Sequence, residues 1–162
     1  MWKDAPMEIT FNLPHVFNPK ASSVDNAYAL RALLDCMIEL NLAYLQSHSV
    51  PALYQSGVRY GRTKIWEPIP ALYARRYGDC KSLATAKIAQ LRMAGVRCEP
   101  VFRWIKPDGP KGATDFHILV QTRTKYLDPS KRLGMGKNEN DKFHMTDGSV
   151  MSWDASGIHE LR

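Results

Sequence analysis

The stretch GDCKSLATAKIAQLRMAGVRCEP, Gly78 to Pro100, decides how this chain is read. Within it Leu83, Ala84, Ala86, Lys87, Ile88, Leu91 and Met93 recur at helical spacing. Asp79 stands where an N-cap belongs, with a carboxylate that accepts from first-turn N–H groups. Gly95 is placed to terminate the helix, because glycine takes the left-handed conformation at little steric cost. The spacing therefore predicts a helix beginning at about Cys80. A thiol in a first turn faces unpaired N–H groups and the positive end of the helix dipole. Both favour the thiolate, so the position predicts a lowered pKa and a nucleophile near neutral pH. The same N–H groups can receive the oxyanion formed when sulfur attacks a carbonyl. Gly78, without a side chain, lets a substrate backbone approach.

Downstream, RCEPVFRWI (97–105), DFHILVQT (115–122) and TKYLDPS (124–130) read as three short strands. KPDGPKGAT (106–114) is a turn-rich loop between the first two. Only a few polar residues separate the second from the third, which predicts a hairpin. Such a hairpin would set His117 beside Asp128 despite their separation in sequence. The aspartate would orient the imidazole, and the imidazole would act as base and acid for Cys80. Singly, each residue has an ordinary explanation: a packing cysteine, a satisfied core histidine, an aspartate capping a turn before Pro129. The order of cysteine on a helix, then histidine and aspartate on strands, is far more specific than its members.

Upstream, Val24, Tyr28, Leu30, Leu33, Leu34, Met37, Ile38, Leu40, Leu42 and Leu45 predict a long helix over about 24–46, buried on one side, with Ser23 as N-cap. Cys36 falls in this run and reads as a packing residue. Residues 47–70, with Pro51, Gly57, Gly61, Pro68 and Pro70, read as a loop-rich connection of the kind that carries sites. A short helix from Ile69 to Arg76, ending near Gly78, should follow. Residues 1–22 form an N-terminal arm whose MEITFNL segment suits a short strand or extended chain. Residues 135–162 read as an irregular C-terminal tail anchored by Trp153 and Ile158.

With 162 residues, the chain has room for a single domain with a hydrophobic core. At 44% hydrophobic and 23% charged residues its composition is that of a soluble globular protein. No apolar run approaches the ~18 residues of a membrane helix. The opening MWKDAPMEITFNLPHVF places charges and prolines where a signal peptide needs an apolar stretch, so the chain is expected to be cytoplasmic at synthesis. Cys36, Cys80 and Cys98 make an odd count without close pairs, which fits free thiols in a reducing compartment. No CxxC or HxxxH spacing seeds a zinc site. The +6 charge is spread along the chain without a nucleic-acid motif, so nucleic acid is not an expected partner. His15, His48, His144 and His159 have no partner pattern.

The stretch WEPIPALYARRYGDCKSLA, Trp66 to Ala84, resembles the transglutaminase-like superfamily, whose members place a tryptophan and then GDC at the start of the catalytic helix. In that superfamily histidine and aspartate follow on adjacent strands, as DFH and LDPS do here. The resemblance covers about residues 60–134. It implies a papain-like α+β fold, with a catalytic helix packed on a small antiparallel sheet. Cys80 would be nucleophile, His117 general base and Asp128 its orienter. It also implies Trp66 as a wall of the substrate site or an aid to the oxyanion. Tyr77 and Arg76, flanking the motif, would line the cleft. LYQSGVRY (53–60), GDCKSLA (78–84) and YLDPSKRLGM (126–135) are similar as well to stand-alone transglutaminase-like proteins encoded by tailed bacteriophages, which implies other virion proteins as partners.

One departure matters. Where many bacterial members follow GDC with acidic residues, and some hold calcium, this chain has Lys81 and Ser82. No metal or other cofactor is therefore expected, and a lysine beside the thiol would support the thiolate. The leading expectation is an enzyme that acts on amide bonds of a protein or peptide through a thioester. Water as acceptor would make it a peptidase or amidase, an amine a transglutaminase. Hydrolysis is favoured, since a small loop-built cleft leaves little material for an amine tunnel. The alternative is a structural or assembly protein, for example a virion component, that retains the fold with or without activity.

Overall fold

Two helices laid on an antiparallel sheet carry the main core. The computed structural model describes residues 10–17, 21, 23–105, 115–144, 150–154 and 157–161. Helix α1, Ser23–Ser47, begins at the residue expected to cap it. Ala27, Leu30, Leu34 and Ile38, spaced three and four apart, are fully buried. Cys36 is exposed on the outer side, so it does not pack the core as its apolar neighbours suggested.

The 47–70 connection holds a 3-10 turn, Leu53–Gln55, and a two-residue strand β1, Arg59–Tyr60. Helix α2, Ile69–Arg75, follows. Its end is made by Arg76, in the left-handed region at φ 73°, rather than by Gly78. Strand β2, Tyr77–Gly78, pairs in parallel with β1, so the loop before the GDC motif is tied to the motif itself.

Helix α3, Cys80–Met93, starts where the sequence placed it. The Asp79 carboxylate accepts from the Lys81 amide at 3.3 Å. At the other end the Gly95 amide donates to the Arg92 carbonyl and the Val96 amide to the Leu91 carbonyl, both at 2.9 Å, with Gly95 at φ 79°. This is a Schellman motif, and it needs the glycine. Ala84 and Ile88 face α1 and the sheet. Leu83 and Ala86 face Leu53, Val58, Ile69, Leu72 and Leu133 in a second cluster. Being buried on both sides, α3 is the fixed post against which the other elements are set.

Strands β3, Cys98–Ile105, and β4, Phe116–Thr122, form an antiparallel pair with Arg103 opposite His117. Residues 106–114 lie outside the described residues. Strand β5, Tyr126–Leu127, completes the expected hairpin but pairs only with Val120 and Gln121. Two one-turn helices follow, α4 Pro129–Arg132 and α5 Lys137–Asn140. Strands β6 Phe143–His144, β7 Val150–Asp154 and β8 Gly157–Leu161 then complete an antiparallel sheet of order β5-β4-β3-β7-β8, with β6 also on β3. The fold is thus mixed α+β with a small antiparallel sheet.

The tail differs from the irregular segment its Gly, Asn and Asp content suggested. The second edge of β3 offers unpaired N–H and C=O groups, and the tail satisfies them. Trp153 and Ile158, expected as anchors, pair with each other across β7 and β8. In the N-terminal arm, Thr10–Leu13 form no strand, while the rest of the MEITFNL segment lies outside the described residues. Phe17, by contrast, is held: its amide donates to Asn26 Oδ1 at 2.6 Å and its ring lies 5.8 Å from that of Phe116. Among the described residues, no helix is long and apolar enough to cross a membrane.

Candidate active site

Side-chain alternation on β4 settles where each group goes. Ile118 and Val120 face the helices, with Phe116 packed against the same cluster, so His117 faces the opposite side together with its cross-strand neighbour Arg103. There its Nε2 meets Asp128 Oδ2 at 3.0 Å. The ring is almost wholly buried, at 1% exposure, with Phe143 tilted beside it at 5.3 Å between centroids. The expected histidine–aspartate pair is present.

Asp128 is held from several directions. Its Oδ1 accepts from the Lys131 amide at 3.0 Å, which caps α4. Its Oδ2 accepts from Asn140 Nδ2 at 2.8 Å and from the Arg103 guanidinium at 3.4 Å, besides the imidazole. Arg103 also donates to Asn140 Oδ1 at 2.9 Å and to the Phe143 carbonyl at 3.4 Å. Burial pushes the Asp128 carboxyl up, but the His117, Lys131 and Asn140 hydrogen bonds outweigh it and hold the group below its ordinary value. Asp128 is therefore an anion fixed in place. Arg103 and Asn140 were not singled out in the sequence. Asn140 sits in a segment read as irregular, and Arg103 is found only once the β3–β4 register is known.

Cys80 reaches β4 from the other direction, at its edge. Because β5 stops at Val120, the outer edge at Phe116–Ile118 is left to the thiol. Sγ donates to the Phe116 carbonyl at 3.7 Å, and the Ile118 amide on the same edge favours the charged form of the thiol. The sulfur is thus seated on the two residues that flank His117. Among the described residues, its hydrogen bonds go to this backbone and not to the imidazole.

The thiol does not carry the lowered pKa that its place in the first turn predicted. Burial, and then the negative charge of Asp79, push it up to about 12, against weaker help from the Ile118 amide and Lys81. Lys81 is spent elsewhere: its ammonium is buried between the Asp79 carboxylate and the Thr63 carbonyl, the latter at 2.6 Å. The cap that starts the helix therefore works against the thiolate, and the lysine mainly neutralises the cap.

The backbone of the first turn is partly committed. Asp79 takes the Lys81 amide through its side chain and the Leu83 amide through its carbonyl, at 3.3 and 3.0 Å. The Cys80 amide has no acceptor among the described residues. Trp66 is partly buried against the main core, with the Lys81 ammonium 6.0 Å from its ring. Tyr77 is exposed and accepts from Arg75 at 3.5 Å. Gly78 is buried, and a Cβ there would meet Leu72 Cδ1 at 2.5 Å and Ser82 Cβ at 3.4 Å. Packing against Leu72 thus accounts for the glycine.

No family model, curated protein or solved structure matches this chain.

A polar rim lies close by. Tyr60 donates to Glu139 Oε1 at 2.6 Å, and Arg62 reaches both Glu139 at 3.2 Å and Asp115 at 3.0 Å. Burial, Glu139 and the nearby Cys80 together raise the Tyr60 phenol well above its usual range. Among the described residues, no group of three or more His, Cys, Asp or Glu side chains could hold a metal ion.

Proposed function

We propose that this chain is a thiol-dependent amide-bond enzyme of the transglutaminase-like, papain-like kind, working through a Cys80–His117–Asp128 triad. The observation that carries the reading is the seating of the Cys80 thiol on the Phe116 carbonyl, next in the strand to a histidine whose Nε2 is fixed by Asp128.

In this reading the resting state is a neutral thiol. A thiol pushed up to about 12 is not ionised in advance at neutral pH. His117 therefore removes the Sγ proton as sulfur attacks the substrate carbonyl, in one general-base step. The carbonyl oxygen becomes an oxyanion, for which the Cys80 amide is the available donor. Collapse of the tetrahedral species breaks the C–N bond, and the imidazolium returns its proton to the departing amine. A thioester on Cys80 remains. Water, deprotonated by His117, then releases the acid and regenerates the thiol; an amine in place of water completes a transamidation. Asp128 holds the tautomer and stabilises the imidazolium without taking its proton. Hydrolysis is the favoured outcome, with a protein or peptide as substrate.

One observation favours the second reading, an assembly protein that keeps the fold. The thiol satisfies open strand-edge groups of β4 and lacks a hydrogen bond to the imidazole among the described residues. That is how a purely structural cysteine would also sit.

Intact-protein mass spectrometry during incubation with p-nitrophenyl acetate separates the two. An enzyme acquires one acetyl group, mapped to Cys80 by digestion, which is lost again on standing and is absent from Cys80→Ala. Acetylation confined to exposed Cys36, with Cys80 unmodified, would sink the enzymatic reading.

A further inference from the structure

A second concavity, at the end of β4 remote from His117, does not depend on the catalytic reading. It has a volume of about 540 Å³ and lies between α3, the turn after it and the β4–β5 hairpin. Four cations line it: Lys87, Arg97, Arg123 and Lys125. Among the described residues no carboxylate does. None of the ion pairs among the described residues involves any of the four. Between the cations the walls are mainly apolar, made by Leu91, Val96, Leu127 and the ring of Tyr54, with Thr122 and Thr124 beside them.

Like charges are not gathered at one hollow without cost. Lys87 Nζ sits 4.4 Å from the centre of the Tyr54 ring, and the Arg132 guanidinium approaches the same ring at 5.8 Å. The aromatic face gives partial compensation for charge that no carboxylate among the described residues pairs. Burial holds the Lys87 ammonium below its ordinary pKa, and a bound anion would relieve that strain on the charged form.

We propose that this pocket binds a phosphorylated ligand of nucleotide size, with phosphates on Arg97, Arg123, Lys125 and Lys87 and an apolar or ring body against Leu91, Val96 and Leu127. The volume falls within the range of roughly 300–1,000 Å³ typical of small-molecule sites. The two arginines present planar forks that match phosphate oxygens in pairs. An acidic peptide would need a row of cations along an extended surface rather than a hollow with apolar walls. The same nucleotide chemistry can come free or at the end of a single strand. Lys87 lies seven positions after Cys80 on α3, about 10 Å along the helix at 1.5 Å per residue, so the ligand need not enter the cleft of the thiol.

The test is isothermal titration of the full chain with ADP, with a ten-residue oligothymidylate and with polyglutamate. Two doubly substituted variants of equal charge change are compared: Arg123→Glu with Lys125→Glu in the pocket, and Lys64→Glu with Lys142→Glu outside it. All four positions are exposed, and thermal melting confirms that both variants fold. The proposal expects ADP binding that weakens by about tenfold or more in the pocket variant and stays unchanged in the other. Tighter binding of the oligonucleotide with the same pocket dependence would assign the phosphates to a strand end and still support the site. No ADP binding to the wild type, equal weakening in both variants, or binding of polyglutamate in preference to both nucleotides would overturn it.

Discussion

Asp128 Oδ2 lies 3.0 Å from His117 Nε2, and the same oxygen also accepts from Asn140 and Arg103. One carboxylate oxygen thus collects three donors, while the other caps α4. Replacing Asp128 by Ala removes the cap and leaves the half-buried Arg103 guanidinium, among the described residues, with only the neutral acceptors Asn140 Oδ1 and the Phe143 carbonyl. The expected loss is about 2–4 kcal/mol of stability, read from denaturant unfolding near neutral pH. The pH dependence has a definite sign. Asp128 is held below its ordinary value of 3.8, so its ionised form is favoured by folding. Its contribution is fully present above that value and is lost as pH falls through the lower folded-state pKa. The gap between wild type and Asp128→Ala should therefore shrink below pH 3.8. A gap that persists unchanged in acid would mean that the carboxylate charge is not what stabilises the fold.

The three thiols should label in an order set by exposure and charge. Cys36 is exposed, whereas Cys98 is buried and raised mainly by burial. Cys80 is pushed up to about 12, with the Asp79 charge as its second cause. Iodoacetamide near neutral pH should modify Cys36 well before the other two, as counted by peptide mapping. Asp79→Asn keeps a capping oxygen but removes the charge, so Cys80 should then label faster, by roughly 3–10-fold. A Cys80 rate that does not move in Asp79→Asn would remove the electrostatic explanation.

Gly78 offers a packing test independent of catalysis. A methyl group there would meet Leu72 Cδ1 at 2.5 Å, inside a cluster already filled by Ile69 and Leu83. Gly78→Ala should cost about 1–3 kcal/mol by overpacking. Shortening the opposing side chain in Gly78→Ala with Leu72→Val should recover part of that loss. A neutral single substitution, measured by urea unfolding, would show that the cleft floor yields more than its packing implies.

Much of the site was legible because its cues are local. A capping aspartate, a helical period and a terminating glycine place α3 and Cys80 from Gly78–Gly95 alone. The short polar link between FHILV and YLDP predicts the β4–β5 hairpin, and Asp128, one residue past the paired Leu127, reaches His117 through its side chain. What remained hidden depends on distant parts of the chain. Arg103 enters through the β3–β4 register, which the long connection between the two strands does not specify. Asn140 comes from a one-turn helix with no period to detect. The tail strands form because β3 offers an edge, a property of the partner rather than of the tail. The Cys80 thiol departs from what its helix position predicts for a similar reason. Helix position favours the thiolate, but burial against β4 and the charge of Asp79 act the other way and prevail.

The central claim is that Cys80 and His117 act as one unit, and the most direct test is the pH profile of Cys80 acylation by p-nitrophenyl acetate. Single-turnover rates would be followed by mapped mass spectrometry in wild type and His117→Ala. With the imidazole as proton acceptor, wild type should already react near neutral pH, well below the value of about 12 to which the thiol is pushed. His117→Ala should be slower by about 10²–10⁴-fold near neutral pH, and its rate should climb with hydroxide toward the high pKa of the isolated thiol. Superimposable profiles for the two proteins would contradict the triad and leave Cys80 as a cysteine that seals the edge of β4.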